Sequence, residues 1–127
     1  ANPSDYKPPS YYINKGHELA NKNGVSFFMT TSPEEAVKDV DVIVTDVWAS
    51  MGQEEECDKR RIDFDGYQVN KKLLTLAKED TIVLHCLPAH RGEEITNEIL
   101  EAHADTIFEE AENRLHAQKA VLVKLLK

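Results

Sequence analysis

The sequence has few of the residues that mark several common classes of protein. Its two cysteines in 127 residues are too few for a disulfide framework, so we expect a reducing, intracellular compartment. No stretch is apolar enough to span a membrane, and none resembles a signal peptide. The chain has 15 basic residues against 23 acidic ones, a formal net charge of −8. This balance argues against nucleic acid as the main partner, because phosphate binding relies on basic surface.

Glycine is also scarce, and its spacing excludes two nucleotide-binding motifs. The five glycines form neither a Gly-x-Gly-x-x-Gly turn nor a Gly-Lys-Ser/Thr phosphate loop. We therefore expect no nucleotide cofactor, and no other cofactor is indicated. The hydrophobic content of 41% is enough for the core of one domain.

What the chain does contain is an alternation of strand-like and helix-like segments. We predict four strands, at residues 25–29, 41–46, 81–87 and 106–109. We predict five helices, at residues 10–23, 32–40, 69–77, 96–102 and 113–127. This order indicates the α/β class, with a doubly wound, Rossmann-like parallel sheet flanked by helices. Because a loop and a helix come before any strand, we expect the sheet to lack its first strand and helix.

Local signals set several of these boundaries. Gly24 is a plausible end for the first helix. Ser32 is suited to be the N-cap of the second helix, with Pro33 at its first position and Glu35 completing a capping box. The charged run at residues 54–61 is typical of either a solvated helical turn or a mobile loop.

Polar groups follow two of the predicted strands. Asp46 ends the second strand, and His85 and Cys86 end the third. Parallel strands end at the same edge of a sheet, where ligands bind. If these strands are neighbours, the carboxylate and the thiol face one crevice.

Each of these groups has more than one interpretation. Cys86 is suited to be a nucleophile, a proton-transfer group, a metal ligand or a small buried apolar residue. Its spacing to His90 is only weak evidence for zinc. Asp46 either binds a ligand or caps a following helix. Arg114 is either a surface ion-pair partner or an anion clamp.

The loop after Asp46 carries further hydrogen-bond donors. Ser50 and the amide of Met51 are suited to bind a ligand carboxylate, and Gly52 permits a tight backbone.

Three segments together resemble the second half of ornithine carbamoyltransferase. They are Thr-Asp-Val-Trp-Ala-Ser-Met-Gly at 45–52, His-Cys-Leu-Pro-Ala-His-Arg-Gly at 85–92 and Glu-Asn-Arg-Leu-His-Ala-Gln-Lys-Ala at 112–120. The Ser-Met-Gly sequence resembles ornithine enzymes rather than aspartate or putrescine carbamoyltransferases. The resemblance implies transfer of a carbamoyl group from carbamoyl phosphate to the side-chain amine of L-ornithine, giving L-citrulline and phosphate in arginine metabolism.

The resemblance also implies roles for six residues. Ornithine binding is assigned to Asp46, Ser50 and Met51. Carbamoyl phosphate binding is assigned to Cys86, Leu87 and Arg114. Catalytic roles are assigned to Cys86, Asp46 and Arg114. No metal is implied.

The family has an N-terminal carbamoyl-phosphate domain that has no counterpart here. Residues 1–127 are therefore expected to be a partial L-ornithine-binding domain that is inactive alone. The complete enzyme is expected to form a homotrimer or a multiple of trimers, with no nucleic acid or membrane partner. It is expected in the cytoplasm, or in the mitochondrial matrix if eukaryotic.

Two rival functions compete with this interpretation. One is a non-catalytic relic that binds ornithine or a protein partner without turnover. The other is a signalling receiver domain with Asp46 as phospho-acceptor. Such domains have an acidic pair near the N-terminus and a lysine at the end of the last strand, and this sequence has neither.

Overall fold

Six α-helices and two β-strands form the part of the chain that the structure, a computed structural model, describes: residues 1–50, 52 and 54–126. The helices are α1 (Ser10–Asn23), α2 (Pro33–Val37), α3 (Cys57–Asp63), α4 (Lys71–Leu74), α5 (Asn97–Ala102) and α6 (Ala104–Leu125). The strands are β1 (Val42–Thr45) and β2 (Ile82–His85), and short 3-10 turns cover Ser4–Tyr6 and Glu54–Glu56.

The two strands pair in parallel, as predicted for neighbouring strands joined by a crossover. Their register places Ile43 beside Val83 and Thr45 beside His85. Val83 and Ile43 are buried, at 0% and 7% exposure, whereas Val44 on β1 is 68% exposed. The register brings the residues that follow Thr45 and His85 to the same edge of the sheet.

Helix α1 has the predicted bounds, but the strand predicted at residues 25–29 is wrong. Gly24 ends the helix with φ 66°, a left-handed conformation that glycine adopts without a steric penalty. The following residues form no strand, because a strand needs a ladder partner and neither described strand pairs with them. Instead, the Phe27 ring packs on α1, with its centroid 5.0 Å from that of His17, and it covers Gly16 so closely that a Cβ there would lie 2.8 Å from the ring.

The start of α2 follows the predicted N-cap, although the capping box is not reciprocal. The Ser32 side chain accepts a hydrogen bond from the Glu35 amide at 3.1 Å. The Glu35 carboxylate, however, accepts from the Thr30 hydroxyl, and that hydroxyl in turn accepts from the Ser32 amide. The helix ends at Val37, earlier than predicted.

The strand predicted at residues 106–109 is also wrong, and the last helix begins earlier than residue 113. Helix α6 runs from Ala104 through this segment to Leu125. The Thr106 hydroxyl donates to the carbonyls of His103 and Val83 at 2.9 and 3.2 Å, while Ile107 is fully buried. Packing of this helical turn against β2 therefore overrides the strand propensity of Thr106, Ile107 and Phe108.

The remaining differences are at element ends. Helix α4 is shorter than the predicted helix at 69–77, and it begins where Asn70 accepts a hydrogen bond from the Leu73 amide. Helix α5 begins after Thr96, whose side chain accepts from the Ile99 amide. The charged run is helical, as a 3-10 turn followed by α3, and not a loop.

One apolar core joins the two strands to helices α2, α4, α5 and α6. It consists of Val37, Ile43, Val69, Leu73, Val83, Ile95, Ile99, Leu100 and Ile107. The predicted α/β class is confirmed, with a parallel sheet flanked by helices. No helix in the described part of the chain is both long enough and apolar enough to cross a bilayer.

Candidate functional site

Asp46 and Cys86 meet at the carboxyl edge of the sheet. Each residue directly follows a strand, and the strands pair with Thr45 beside His85. The Cys86 thiol donates a hydrogen bond to Asp46 Oδ1 at 3.3 Å. The predicted juxtaposition of carboxylate and thiol is therefore confirmed, between residues that lie 40 positions apart in the sequence.

The surroundings of Cys86 favour the neutral thiol. Partial burial of the sulfur is the largest effect that raises the pKa of Cys86. The hydrogen bond to Asp46, the charge of that carboxylate and the charge of Glu110 raise it further. A nucleophilic cysteine needs the opposite environment, which lowers the thiol pKa. The geometry thus favours a group that holds a proton, and the exposed residue Cys86 is not a buried core residue.

Asp46 does not cap a helix, contrary to one of its two interpretations. Its Oδ1 accepts a hydrogen bond from the adjacent Val47 amide at 2.7 Å, and residues 47–50 are not helical. This one oxygen accepts both the Val47 amide and the Cys86 thiol, and Asp46 is exposed at the sheet edge.

Only part of the predicted donor loop lies within the described residues. Ser50 is exposed, and Gly52 has φ 84°, which is consistent with the tight backbone predicted there. Met51 lies outside the described residues.

A groove leads to Asp46 along β1. Its volume is about 390 Å³, and its lining includes the whole of β1, Asp46, Val47 and Trp48. The Trp48 ring stacks on Phe64 with centroids 6.0 Å apart, and Arg60 donates to the Trp48 carbonyl at 3.0 Å. These contacts fix one wall of the groove beside the carboxylate.

Leu87 is held in an unusual backbone conformation next to the thiol. Its φ is 55°, in the left-handed region, which costs a residue with a Cβ about 1–2 kcal/mol. The Leu87 amide donates to His85 Nδ1 at 2.9 Å, and this bond helps to hold the turn. The peptide bond from Leu87 to Pro88 is cis.

His85 is buried inside the domain, and no sequence pattern indicates its partner. His85 and Glu94 are both 0% exposed, and Nε2 lies 3.0 Å from Oε1. Glu94 comes directly after Glu93 in a polar stretch, and this pattern is more typical of an exposed turn. No local signal distinguishes it from Glu93, which is only partly buried and pairs with Arg61 at 2.8 Å.

Arg114 lies in the middle of α6 and not at the start of a helix. It is exposed, and it forms no ion pair within the described part of the chain. Glu110, whose charge acts on Cys86, lies one turn earlier on the same helical face. Among the described residues, no hydrogen bond or ion pair joins Arg114 to Asp46 or Cys86, so the structure does not bring Arg114 into contact with that pair.

Metal ligands are grouped at the same edge, but their hydrogen bonds compete with coordination. Asp46, His85 and Cys86 place candidate ligand atoms within 4.8 Å of one another. Both ring nitrogens of His85 are already engaged, one by Glu94 and the other by the Leu87 amide. Because a metal needs a free ring lone pair, binding through His85 would break the Leu87 contact. His90 is not a member of this group.

Comparison with known proteins identifies a family for nearly the whole chain. A family model described as "Aspartate/ornithine carbamoyltransferase, Asp/Orn binding domain" matches residues 1–125. A curated ornithine carbamoyltransferase of Nitratiruptor is 50% identical over 125 residues, covering 98% of this chain and 40% of that relative. The ornithine carbamoyltransferase of Pyrococcus horikoshii is 52% identical over 126 residues, covering 99% of this chain and 40% of that relative.

Solved structures agree with these sequence matches. The crystal structure of an anabolic ornithine carbamoyltransferase from Campylobacter jejuni superposes with a TM-score of 0.93 at 42% identity, covering 98% of this chain and 41% of that chain. The Pyrococcus furiosus enzyme has a TM-score of 0.86 at 51% identity, covering 94% of this chain and 38% of that chain. The chain thus spans about 40% of the length of the curated relatives it matches.

Proposed function

The chain belongs to the aspartate/ornithine carbamoyltransferase family, because residues 1–125 match the model of its Asp/Orn binding domain, and we propose that it forms the ornithine side of an ornithine carbamoyltransferase site. The complete enzyme would transfer the carbamoyl group of carbamoyl phosphate to the side-chain amine of L-ornithine. The relatives that support this carry the name ornithine carbamoyltransferase. The single observation that carries the proposal is the hydrogen bond between Cys86 and Asp46 at the sheet edge.

The charge of this pair suits a diamine substrate. The Asp46 carboxylate attracts and orients the ornithine side-chain ammonium, which must lose a proton before its nitrogen can attack a carbonyl carbon. Cys86 stays a neutral thiol because its pKa is raised, so the nucleophile is the substrate amine and not the cysteine. Ser50 and the Met51 backbone bind the amino-acid end of ornithine.

The carbamoyl end is assigned to Cys86, Leu87 and Arg114. The Leu87 carbonyl accepts a hydrogen bond from the carbamoyl NH₂ group, and Arg114 stabilises the negative charge that grows on the carbonyl oxygen. Cys86 lies beside both reacting groups. The geometric support is the left-handed turn at Leu87 and the place of Arg114 on α6, one turn beyond Glu110.

The phosphate half of the site is proposed to come from a carbamoyl-phosphate domain that these 127 residues do not supply. In this proposal the chain alone binds ornithine without turnover, since two substrates must be held together for attack. The complete enzyme forms trimers, which sedimentation of an active assembly would reveal.

A chimera tests the proposed function directly. The chain would replace the matching part of the Nitratiruptor relative, of which it covers 40%, and citrulline formation would be measured. We expect turnover by the chimera, and a loss of at least about 100-fold in Asp46→Ala, the range for a group that handles the reacting proton. Asp58→Ala is the matched control, because the Asp58 side chain is 96% exposed.

Two results would contradict the proposal. One is a folded chimera that forms no citrulline, and the other is an Asp46→Ala chimera as active as the Asp58→Ala control. Calorimetry of the 127-residue chain with L-ornithine tests binding separately from turnover.

A further inference from the structure

A carboxylate lies fully buried behind the candidate site. Glu94 and His85 are both 0% exposed, with Glu94 Oε1 3.0 Å from His85 Nε2. A buried charge is costly unless it is paired and hydrogen-bonded. Nothing in the proposed chemistry uses Glu94, so its burial needs another explanation.

The hydrogen bonds around His85 define which ring nitrogen carries the proton. The Leu87 amide donates to Nδ1 at 2.9 Å, so Nδ1 must present a lone pair. The proton is then on Nε2, which donates to Glu94 Oε1. A neutral imidazole with its proton on Nε2 satisfies both contacts, whereas the other tautomer would set two hydrogens against each other at Leu87.

The same Glu94 oxygen also binds the end of the segment 85–90, which contains Cys86 and Leu87. Glu94 Oε1 also accepts a hydrogen bond from the His90 amide at 2.6 Å. One oxygen therefore joins His85 at the start of the segment to His90 at its end. The second oxygen, Oε2, is buried and has no hydrogen-bond partner among the described residues, so the role of the side chain rests on Oε1.

We propose that Glu94 is a positioning residue that holds His85 as the Nε2–H tautomer and so fixes the turn that presents Cys86 and the Leu87 carbonyl. The chain of contacts runs from Glu94 to His85 Nε2, and from His85 Nδ1 to the Leu87 amide. Leu87 adopts φ 55°, a conformation that persists only where its surroundings determine it. The effect on substrate rests on the proposed function, whereas the tautomer and the turn do not.

Three variants of the 127-residue chain test this positioning role. In Glu94→Ala the acceptor is lost, and we expect a mixture of His85 tautomers in ¹⁵N NMR of the imidazole. Exchange of the Leu87 amide hydrogen should rise by about tenfold or more, because its acceptor is no longer held. Glu94→Gln keeps an oxygen acceptor and should retain both the tautomer and the slow exchange. Ile95→Val is the matched control, a buried neighbour at 0% exposure that takes no part in these hydrogen bonds.

The ligand measurement connects the turn to the site. We expect the affinity for L-ornithine, measured by calorimetry, to fall by about tenfold in Glu94→Ala and to stay at the parent value in Glu94→Gln and Ile95→Val. If the parent chain binds no ornithine, the proposed binding of ornithine by the chain alone is contradicted, while the tautomer and exchange measurements still decide the role of Glu94.

The proposal is overturned if Glu94→Ala keeps the Nε2–H tautomer and the slow Leu87 exchange, or if Ile95→Val loses them equally. If Glu94→Ala does not fold, Glu94→Asp takes its place. The aspartate is shorter by one methylene and withdraws its oxygen from His85, so a smaller loss of the same kind is expected. An unchanged tautomer and unchanged exchange in Glu94→Asp would overturn the proposal in the same way.

Discussion

Replacing Ile107 with alanine should remove much of the contact that docks α6 on the sheet. Ile107 is 0% exposed, and the adjacent Thr106 hydroxyl reaches the Val83 carbonyl of β2 at 3.2 Å. The substitution removes three carbons, worth about 0.8 kcal/mol each when buried, or about 2.4 kcal/mol in transfer free energy. The unfilled cavity adds to this, so the expected loss of unfolding free energy is about 3–5 kcal/mol.

Urea unfolding followed by far-ultraviolet circular dichroism measures this loss. The control is Val121→Ala on the same helix, where the side chain is 56% exposed and the change should stay within about 0.5 kcal/mol. The m-value should be the same for all three proteins. The reasoning fails if Ile107→Ala unfolds within about 0.5 kcal/mol of the parent, or if both variants lose equal stability.

Three further predictions concern the thiol and a helix cap. In a Cys57→Ser background, Asp46→Asn should speed the alkylation of Cys86 by iodoacetamide at pH 8, because the Asp46 carboxylate raises the thiol pKa. Mass spectrometry measures the rate, and equal rates with and without the Asp46→Asn change would show that the carboxylate does not act on the thiol. The pKa of Cys86 is higher in the folded chain than in the unfolded chain. The contribution of the thiol to the free energy of unfolding is therefore complete below the unfolded pKa, about 8.5, and is lost as the pH rises through the folded pKa. Urea unfolding at several pH values should therefore show a steeper alkaline loss for the parent than for Cys86→Ala, and parallel curves would contradict this. Ser32→Ala should cost about 1 kcal/mol by removing the cap of α2, whereas Ser10→Ala, where α1 has no side-chain cap, should cost much less; equal losses in urea unfolding would contradict the capping argument.

Local sequence signals located those features whose physics is itself local. The bounds of α1, the left-handed cap at Gly24 and the N-cap at Ser32 each depend on residues within one or two helical turns. The two central strands were recognisable because β-branched runs led into polar residues. Parallel strands end at the same edge of a sheet, so Asp46 and Cys86 were expected to face one crevice if their strands were neighbours, and the pairing of β1 with β2 meets that condition.

The errors occurred where long-range packing outweighs propensity. Residues 25–29 have the composition of a strand but lack a ladder partner, so the Phe27 ring covers Gly16 instead. Residues 106–109 also favour a strand locally. They are helical because Ile107 is buried in the core, and because the Thr106 hydroxyl reaches the Val83 carbonyl.

The sequence by itself determined the class of fold, the family and the place of Asp46 and Cys86 at the ends of two strands, because periodicity, capping and strand-end motifs depend on neighbouring residues. Only the tertiary structure decided which of two adjacent glutamates is buried. Glu94 is enclosed with His85, while Glu93 pairs with Arg61 near the surface. Burial depends on which distant segments close over a side chain, and the backbone at Leu87 depends on that buried pair through His85.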